Sequence, residues 1–204
     1  MPTQQERNAQ TKAAITKALV HVGTTKALTQ ITVSDITRAS SISRGTFYLH
    51  YLDKNDLVDQ LESYFIDRLQ YLLTTEIDGT MNYEAGISGR PYPIITDIIA
   101  LAAEDKALLR FLFSENGDPA FYRNITKRLQ TAIVKELTRV KGNGNFRTDI
   151  PHDYALHLVT NAIMTIVTTW LLGTDNMSQD DVAALIMRAL YFSPYDMLGI
   201  SIPQ

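Results

Sequence analysis

The sequence contains no cysteine. That excludes a disulfide scaffold, thiol catalysis and cysteine-ligated zinc, and it suits a reducing compartment. Histidine is scarce: His21, His50, His152 and His157 are scattered along the chain. His152 and His157 are five positions apart, off the i, i+4 spacing that puts two ligands on one helical face. Neither an H-E-x-x-H nor a G-x-S-x-G pattern is present. No catalytic residue, metal ligand or cofactor is therefore assigned. Long apolar runs are also missing. The nearest candidate for a membrane span, Leu156 to Leu172, is interrupted by His157, Asn161 and several threonines. No span is expected. The opening MPTQQERNAQTK is polar and lacks the apolar centre of a signal peptide, so a cytoplasmic setting is expected.

What remains is the composition of a globular protein. Apolar residues make up 45% and charged residues 20% of 204 positions, enough for a sizeable core. The net charge of −3 argues against a generally basic nucleic-acid binder, but the charge is unevenly spread. Residues 1–55 hold seven basic side chains (Arg7, Lys12, Lys17, Lys26, Arg38, Arg44, Lys54) against Glu6, Asp35 and Asp53, a local +4. The rest of the chain carries −7. A basic head on an acidic body can meet phosphates locally.

The stretch TVSDITRASSISRGTFYLHYLDK, residues 32–54, holds most of the functional information. Thr32 and Asp35 have capping-box spacing and start a short helix. Val33, Ile36 and Ala39 share its inward face. Ser40-Ser41-Ile42 form a tight turn, with Ile42 plugging the core. Ser43 caps a second short helix, in which Phe47 and Tyr51 point inward. Arg44, Thr46, Tyr48 and His50 are left around the remaining surface. Gly45 weakens a helix, which makes sense where the backbone must approach something closely. Asp53 caps the next helix, with Lys54 at its entrance. Two short helices across a three- or four-residue turn can present the second to a DNA major groove.

Elsewhere helical periodicity dominates. A first helix is predicted from about Gln5 to Val22, with Ala13, Ile15, Leu19 and Val20 apolar and Gly23 as its stop. A long helix from Lys54 carries Leu57, Leu61, Phe65, Leu69 and Leu72. Residues 77–93 contain three glycines and two prolines and read as a loop. Helices follow at about 94–103, 105–114, 118–141, 152–173 and 178–192, the last capped by Ser178 with Asp181. The tail beyond Ser193, with Met197, Leu198 and Ile200, is expected to dock on the body. The fold class is all-α, with about nine helices: a three-helix helix-turn-helix domain over 1–55 and a second helical bundle over 56–204.

At residues 32–57 the chain resembles the TetR/AcrR family of transcriptional regulators. The resemblance rests on Thr32, the turn Ser40-Ser41-Ile42, the core Ser43-Arg44-Gly45-Thr46-Phe47-Tyr48, then Tyr51 and Lys54-Asn55-Asp56-Leu57. Ser41 stands where that family commonly has glycine, which implies a turn without a positive φ. The body is similar to the Firmicutes-type regulatory domain at Leu109-Leu112-Phe113, at Asn116-Gly117-Asp118-Pro119-Ala120-Phe121, and at Trp170-Leu171 with Gly173 and Ser178. The resemblance implies that residues 56–204 are a regulatory, ligand-binding and dimerisation domain, with a homodimer through the last two helices and a small-molecule pocket in the body. It also implies phosphate contacts from Tyr48, His50 and Lys54. Arg44 and Thr46 are candidates for base or phosphate contact, and Thr32 for a phosphate contact beside its capping role. Ser34, Ser43 and Gly45 complete the DNA-facing set. The partner is then double-stranded DNA at a near-palindromic operator.

In the body, Phe111, Phe121, Met164 and Trp170 are candidate ligand contacts, although aromatic and methionine side chains at helical spacing also build plain core. His157 and Asn161 form a polar pair on an apolar helix, which must find partners in a ligand or in neighbouring helices. The leading expectation is a ligand-responsive DNA-binding regulator, a repressor released by an unknown inducer. The alternatives are a coactivator whose body binds a partner protein and a small helical enzyme, the latter without a recognisable catalytic set.

Overall fold

The computed structural model describes residues 3–78, 80–81, 90–174, 176–191 and 198. Among them are nine α-helices and no strand: α1 (Gln4–Gly23), α2 (Val33–Ser40), α3 (Arg44–Tyr48), α4 (Lys54–Thr75), α5 (Pro93–Glu104), α6 (Lys106–Leu112), α7 (Pro119–Lys141), α8 (His152–Leu172) and α9 (Gln179–Tyr191). A 3-10 turn spans Leu28–Gln30. The all-α expectation holds. The chain divides into two compact units, residues 1–67 with 105–123 and residues 68–104 with 124–204. Thus α4 and α7 each contribute to both.

In the first unit, α1 opens on a capping box of Thr3 and Glu6. It buries Ile15, Ala18 and Leu19 and packs against α2 and α6. Ala13 is exposed instead, and Val20 is half-buried. Gly23 does not stop α1 by a left-handed turn. The helix includes it and ends at Thr24, whose N–H bonds to the carbonyls of His21 and Val22. The reason for glycine is space: a Cβ there would sit 2.2 Å from the Phe111 ring. The loop after α6 holds this end of the helix, with the Leu28 N–H donating to the Asn116 carbonyl at 2.7 Å. The Asn116 amide donates to the Gly23 carbonyl at 3.1 Å. Asp118 then caps α7 by accepting from the Ala120 N–H at 2.7 Å. Near it, one oxygen of the Glu62 carboxyl is buried with no hydrogen-bond partner among the described residues. Burial first, then the charges of Asp118 and Asp59, push that carboxyl up to about 7.

The buried row of α4 is Leu57, Val58, Phe65, Ile66, Leu69 and Leu73. Leu61 and Leu72 are only half-buried. A strict four-residue row drifts around a helix of 3.6 residues per turn, so the true stripe alternates steps of three and four.

In the second unit, α9 packs on α8 and α5. Its start is capped as the spacing predicts, with the Asp181 N–H donating to Ser178 Oγ at 3.2 Å. The indole N–H of Trp170 donates to the Met177 carbonyl at 3.1 Å and closes the α8–α9 connection. Arg68 pairs with Glu104 at 2.6 Å. Glu136 is almost completely buried, and Arg139 pairs with it at 2.6 Å. By length and composition α8 reaches the requirement for a membrane span, with a mean hydropathy of 1.5 over its best window. Length and composition alone do not make α8 a clear span, and a core helix meets the same requirement. No other described helix is long and apolar enough. Of the tail, Met197 and Ile200 lie outside the described residues, and Leu198 is exposed.

Candidate nucleic-acid interface and body cavity

The head is built on local caps. The Thr32 hydroxyl accepts from the Asp35 N–H at 3.2 Å, and the Asp35 carboxylate accepts from the Thr32 N–H at 2.9 Å. That carboxylate also takes the Lys26 ammonium at 2.6 Å. The Lys26 hydrogen bond first, and then those from Thr32, hold the Asp35 carboxyl well below the usual range. On α2 the inward residues are Ile36 and Thr37, while Val33 and Ser34 are half-buried and Ala39 is exposed. The expected Val33–Ile36–Ala39 face is therefore rotated toward Thr37.

The turn corrects one expectation. Ser41 has φ 56° and ψ 33°, the left-handed region. The helix–turn–helix thus keeps the conformation that glycine adopts without strain, and a serine pays for it. Its N–H caps α2 on the carbonyls of Arg38 and Thr37. Ile42 behind it is half-buried.

On α3, Ser43 is the N-cap, accepting from the Thr46 N–H at 2.9 Å. Phe47 is fully buried and Tyr51 nearly so, with ring centroids 5.7 Å apart. This anchor leaves Tyr48 about half exposed and Arg44 fully on the surface. The Arg44 guanidinium donates to the Tyr48 hydroxyl at 3.3 Å, one turn along the same face. Thr46 and His50 are half-buried, and the Ser43 and Thr46 hydroxyls lie 2.8 Å apart. Gly45 is exposed, and a Cβ there would meet nothing of this chain closer than Ser43 Oγ at 3.6 Å. Its lack of a side chain therefore answers no need of the protein's own packing. Asp53 caps α4 through the Asp56 N–H at 2.9 Å. The Lys54 ammonium donates to the Leu28 carbonyl at 2.7 Å, which ties α4 to the 3-10 turn. It keeps two further donors. Arg44, Gly45 and Tyr48 thus share the α3 surface, while Thr32 and Lys54 serve first as local braces.

The second unit contains an apolar cavity of about 140 Å³. Helix α5 lines it with Ile94, Ile95, Ile98 and Ile99, and α8 with Val159, Ile163 and Val167. Thr80 and Tyr92 are the two polar residues of an otherwise apolar lining. None of the six candidate ligand residues lines it. Phe111 and Phe121 belong to the first unit, where Phe111 packs over Gly23 and Phe121 tilts against Phe65 and Phe113. Met164 and Trp170 are buried elsewhere in the second unit. His157 and Asn161 sit two positions before Val159 and Ile163, about half a turn round the helix. They are exposed, and the His157 Nδ1 lies 3.3 Å from the Gln130 amide nitrogen.

Residues 89–191 match a sequence profile described as a transcriptional regulator C-terminal region of the TetR type. The chain belongs to the TetR family of transcriptional regulators. Solved structures agree in fold. A TetR transcriptional regulator from Streptococcus agalactiae 2603V superposes with a TM-score of 0.55 at 19% identity, over 92% of this chain and 97% of that one. A TetR-family regulator from Syntrophomonas wolfei gives 0.60 at 16% identity, over 88% and 92%. A regulator of fatty acid degradation from Bacillus halodurans gives 0.59 at 17% identity, over 89% and 95%. No curated protein matches the sequence. A TetR-family regulator binds DNA, and the helix–turn–helix of α2 and α3 is the element in this chain with the geometry for it.

The cavity lining escaped the sequence reading. Its one signal is the segment IITDII of α5, where apolar residues at 94 and 98 and at 95 and 99 make two adjacent rows. That pattern also fits a helix buried in solid core, so it identifies no cavity.

Proposed function

We propose that this TetR-family protein is a homodimeric repressor that leaves its operator when a small molecule binds its body. Residues 1–55 act as the DNA-binding head and 56–204 as the regulatory and dimerisation part, a functional division that differs from the two packing units. The observation that carries the reading is the α3 surface, where the buried Phe47 anchor leaves Arg44, Gly45 and Tyr48 facing out. Arg44 reads a base edge, while Tyr48, His50 and Lys54 hold phosphates. Thr32, Ser34, Ser43 and Thr46 border the same contact.

Dimerisation is supported by α8. It is apolar enough for a membrane span, yet only 33% of its best window is buried within one chain. Tyr154 and Leu158 stand exposed on it. A second copy covering this face accounts for the apolarity in a cytoplasmic, non-enzymatic regulator. The cavity supports a ligand-responsive body over one that binds a partner protein.

The test is a fluorescence-anisotropy titration against the protein's own promoter, with unrelated duplex as control. Saturable binding that weakens steeply with salt is expected. Equal affinity for both duplexes at moderate salt refutes the regulator mechanism. Light scattering should show a dimer at micromolar concentration, and a stable monomer would refute the assembly.

A further inference from the structure

The cavity specifies what kind of molecule it takes, an inference that rests on the ligand-responsive reading above. Its volume of about 140 Å³ is the size of a single aromatic ring or a short alkyl chain. An engineered apolar cavity of about 150 Å³ binds benzene. Among the described residues no charged side chain lines it. The positions of the body outside those residues, 79, 82–89, 175 and 192–204 apart from Leu198, contain no Lys, Arg or His. The lining itself offers no cation to a carboxylate or phosphate, and the nearby Arg139 guanidinium is already held by Glu136, so burying an unpaired anion there is strongly unfavourable.

The two polar residues of the lining narrow the class further. The Thr80 hydroxyl donates to the buried Glu136 carboxylate at 3.3 Å, so its proton is committed. What Thr80 presents is an acceptor. The Tyr92 hydroxyl is 2.8 Å from that of Tyr191, so the two phenols already share a hydrogen bond. Burial first, and then the Tyr191 hydroxyl, push the Tyr92 phenol well above its usual range, and it supplies no charge.

We propose that the body binds an uncharged, mostly hydrocarbon molecule of one-ring or short-alkyl size, whose single hydroxyl donates to Thr80 Oγ1. Acyl carboxylates and phosphorylated metabolites are excluded from this site.

The test uses the full-length protein with three probes of similar size: phenol, toluene and benzoate. Titration calorimetry and thermal shift at pH 7 read binding. Phenol is neutral there, since a phenol ionises near pH 10. Phenol and toluene should bind and raise the melting temperature, while benzoate does neither. Thr80→Val should shift the phenol-to-toluene affinity ratio by about 2- to 10-fold against phenol, the value of one net hydrogen bond. Thr80→Ser should preserve the ratio. Ile163→Phe should fill the space and abolish toluene binding. Benzoate binding as well as phenol overturns the uncharged class. An unchanged ratio in Thr80→Val overturns the role of Thr80, and no binding of either neutral probe overturns the cavity as a site. Promoter titrations run with phenol present separate the two levels. Neutral probes that bind as described while operator affinity stays constant uphold the ligand class and refute only release by the ligand.

Discussion

Replacing Gly45 with alanine should make the head more stable and a worse binder of DNA. The stability half follows from propensity and space. Alanine is favoured over glycine in a helix interior by about 0.8–1.0 kcal/mol, and position 45 lies in the first turn of a five-residue helix. A gain of about 0.5–1 kcal/mol is the appropriate scale. No steric cost offsets it, because the new Cβ would meet only Ser43 Oγ at 3.6 Å, an ordinary van der Waals distance. For a chain of this size that corresponds to about 2–4 °C per kcal/mol in melting temperature. The binding half follows from the same open space. If the α3 backbone comes against DNA at Gly45, a methyl group keeps it off, and about tenfold weaker binding, roughly 1.4 kcal/mol, should result. Calorimetry on the free protein and anisotropy on the promoter complex measure the two effects separately. A Gly45→Ala protein that melts higher and binds DNA as tightly as the parent refutes the close-approach argument. One that melts lower refutes the propensity argument.

Ser41→Gly should also stabilise the head, by about 0.5–1 kcal/mol, because a left-handed L-residue costs about 1–2 kcal/mol and glycine loses part of that gain in the unfolded chain. Melting curves check it, and a lower melting temperature would show that Ser41 is not strained. Tyr48→Phe and Lys54→Ala should weaken specific and non-specific DNA alike. Lys54→Ala should also destabilise the free head, since it leaves the Leu28 carbonyl without its 2.7 Å donor. Arg44→Ala should erode discrimination by about 1–3 kcal/mol, and an unchanged specificity ratio removes Arg44 from base reading. Glu62 makes the fold sensitive to pH. Its folded value of about 7 lies above the ordinary value near 4.3, so the native state holds a proton that the unfolded chain releases. Stability should fall as pH rises from about 4.3 to 7, and Glu62→Gln should flatten that slope. Parallel melting curves for the two proteins from pH 5 to 8 would contradict it.

The sequence was most legible where the chemistry is local. Thr32 with Asp35, Asp53 at the entrance of α4 and Ser178 with Asp181 all cap the helices that their spacing announced, because a cap needs only residues three positions apart. The Phe47–Tyr51 anchor was legible for the same reason. Ser41 was not, because serine tolerates several backbone conformations and its own identity does not declare a left-handed one. The body was least legible. Helix α8 is apolar on more than one face, so periodicity could not say whether Val159 or Asn161 looks inward. The placing of Val159, Ile163 and Val167, all half-buried, around a void depends on α5 and α9, which no local pattern specifies. Gly23 was read as a helix stop because its neighbour in space, Phe111, is remote in sequence.

That contact between Gly23 and Phe111 ties two distant positions into one volume constraint. The ring lies where a β-carbon at position 23 would have to go, so the two side chains cannot vary independently. A relative of this protein carrying alanine or serine at 23 should carry something smaller than phenylalanine at 111. Gly23→Ala alone should be poorly tolerated, and Phe111→Leu should rescue it more than it harms the parent. The pair would then register in any set of related sequences as two columns that change together.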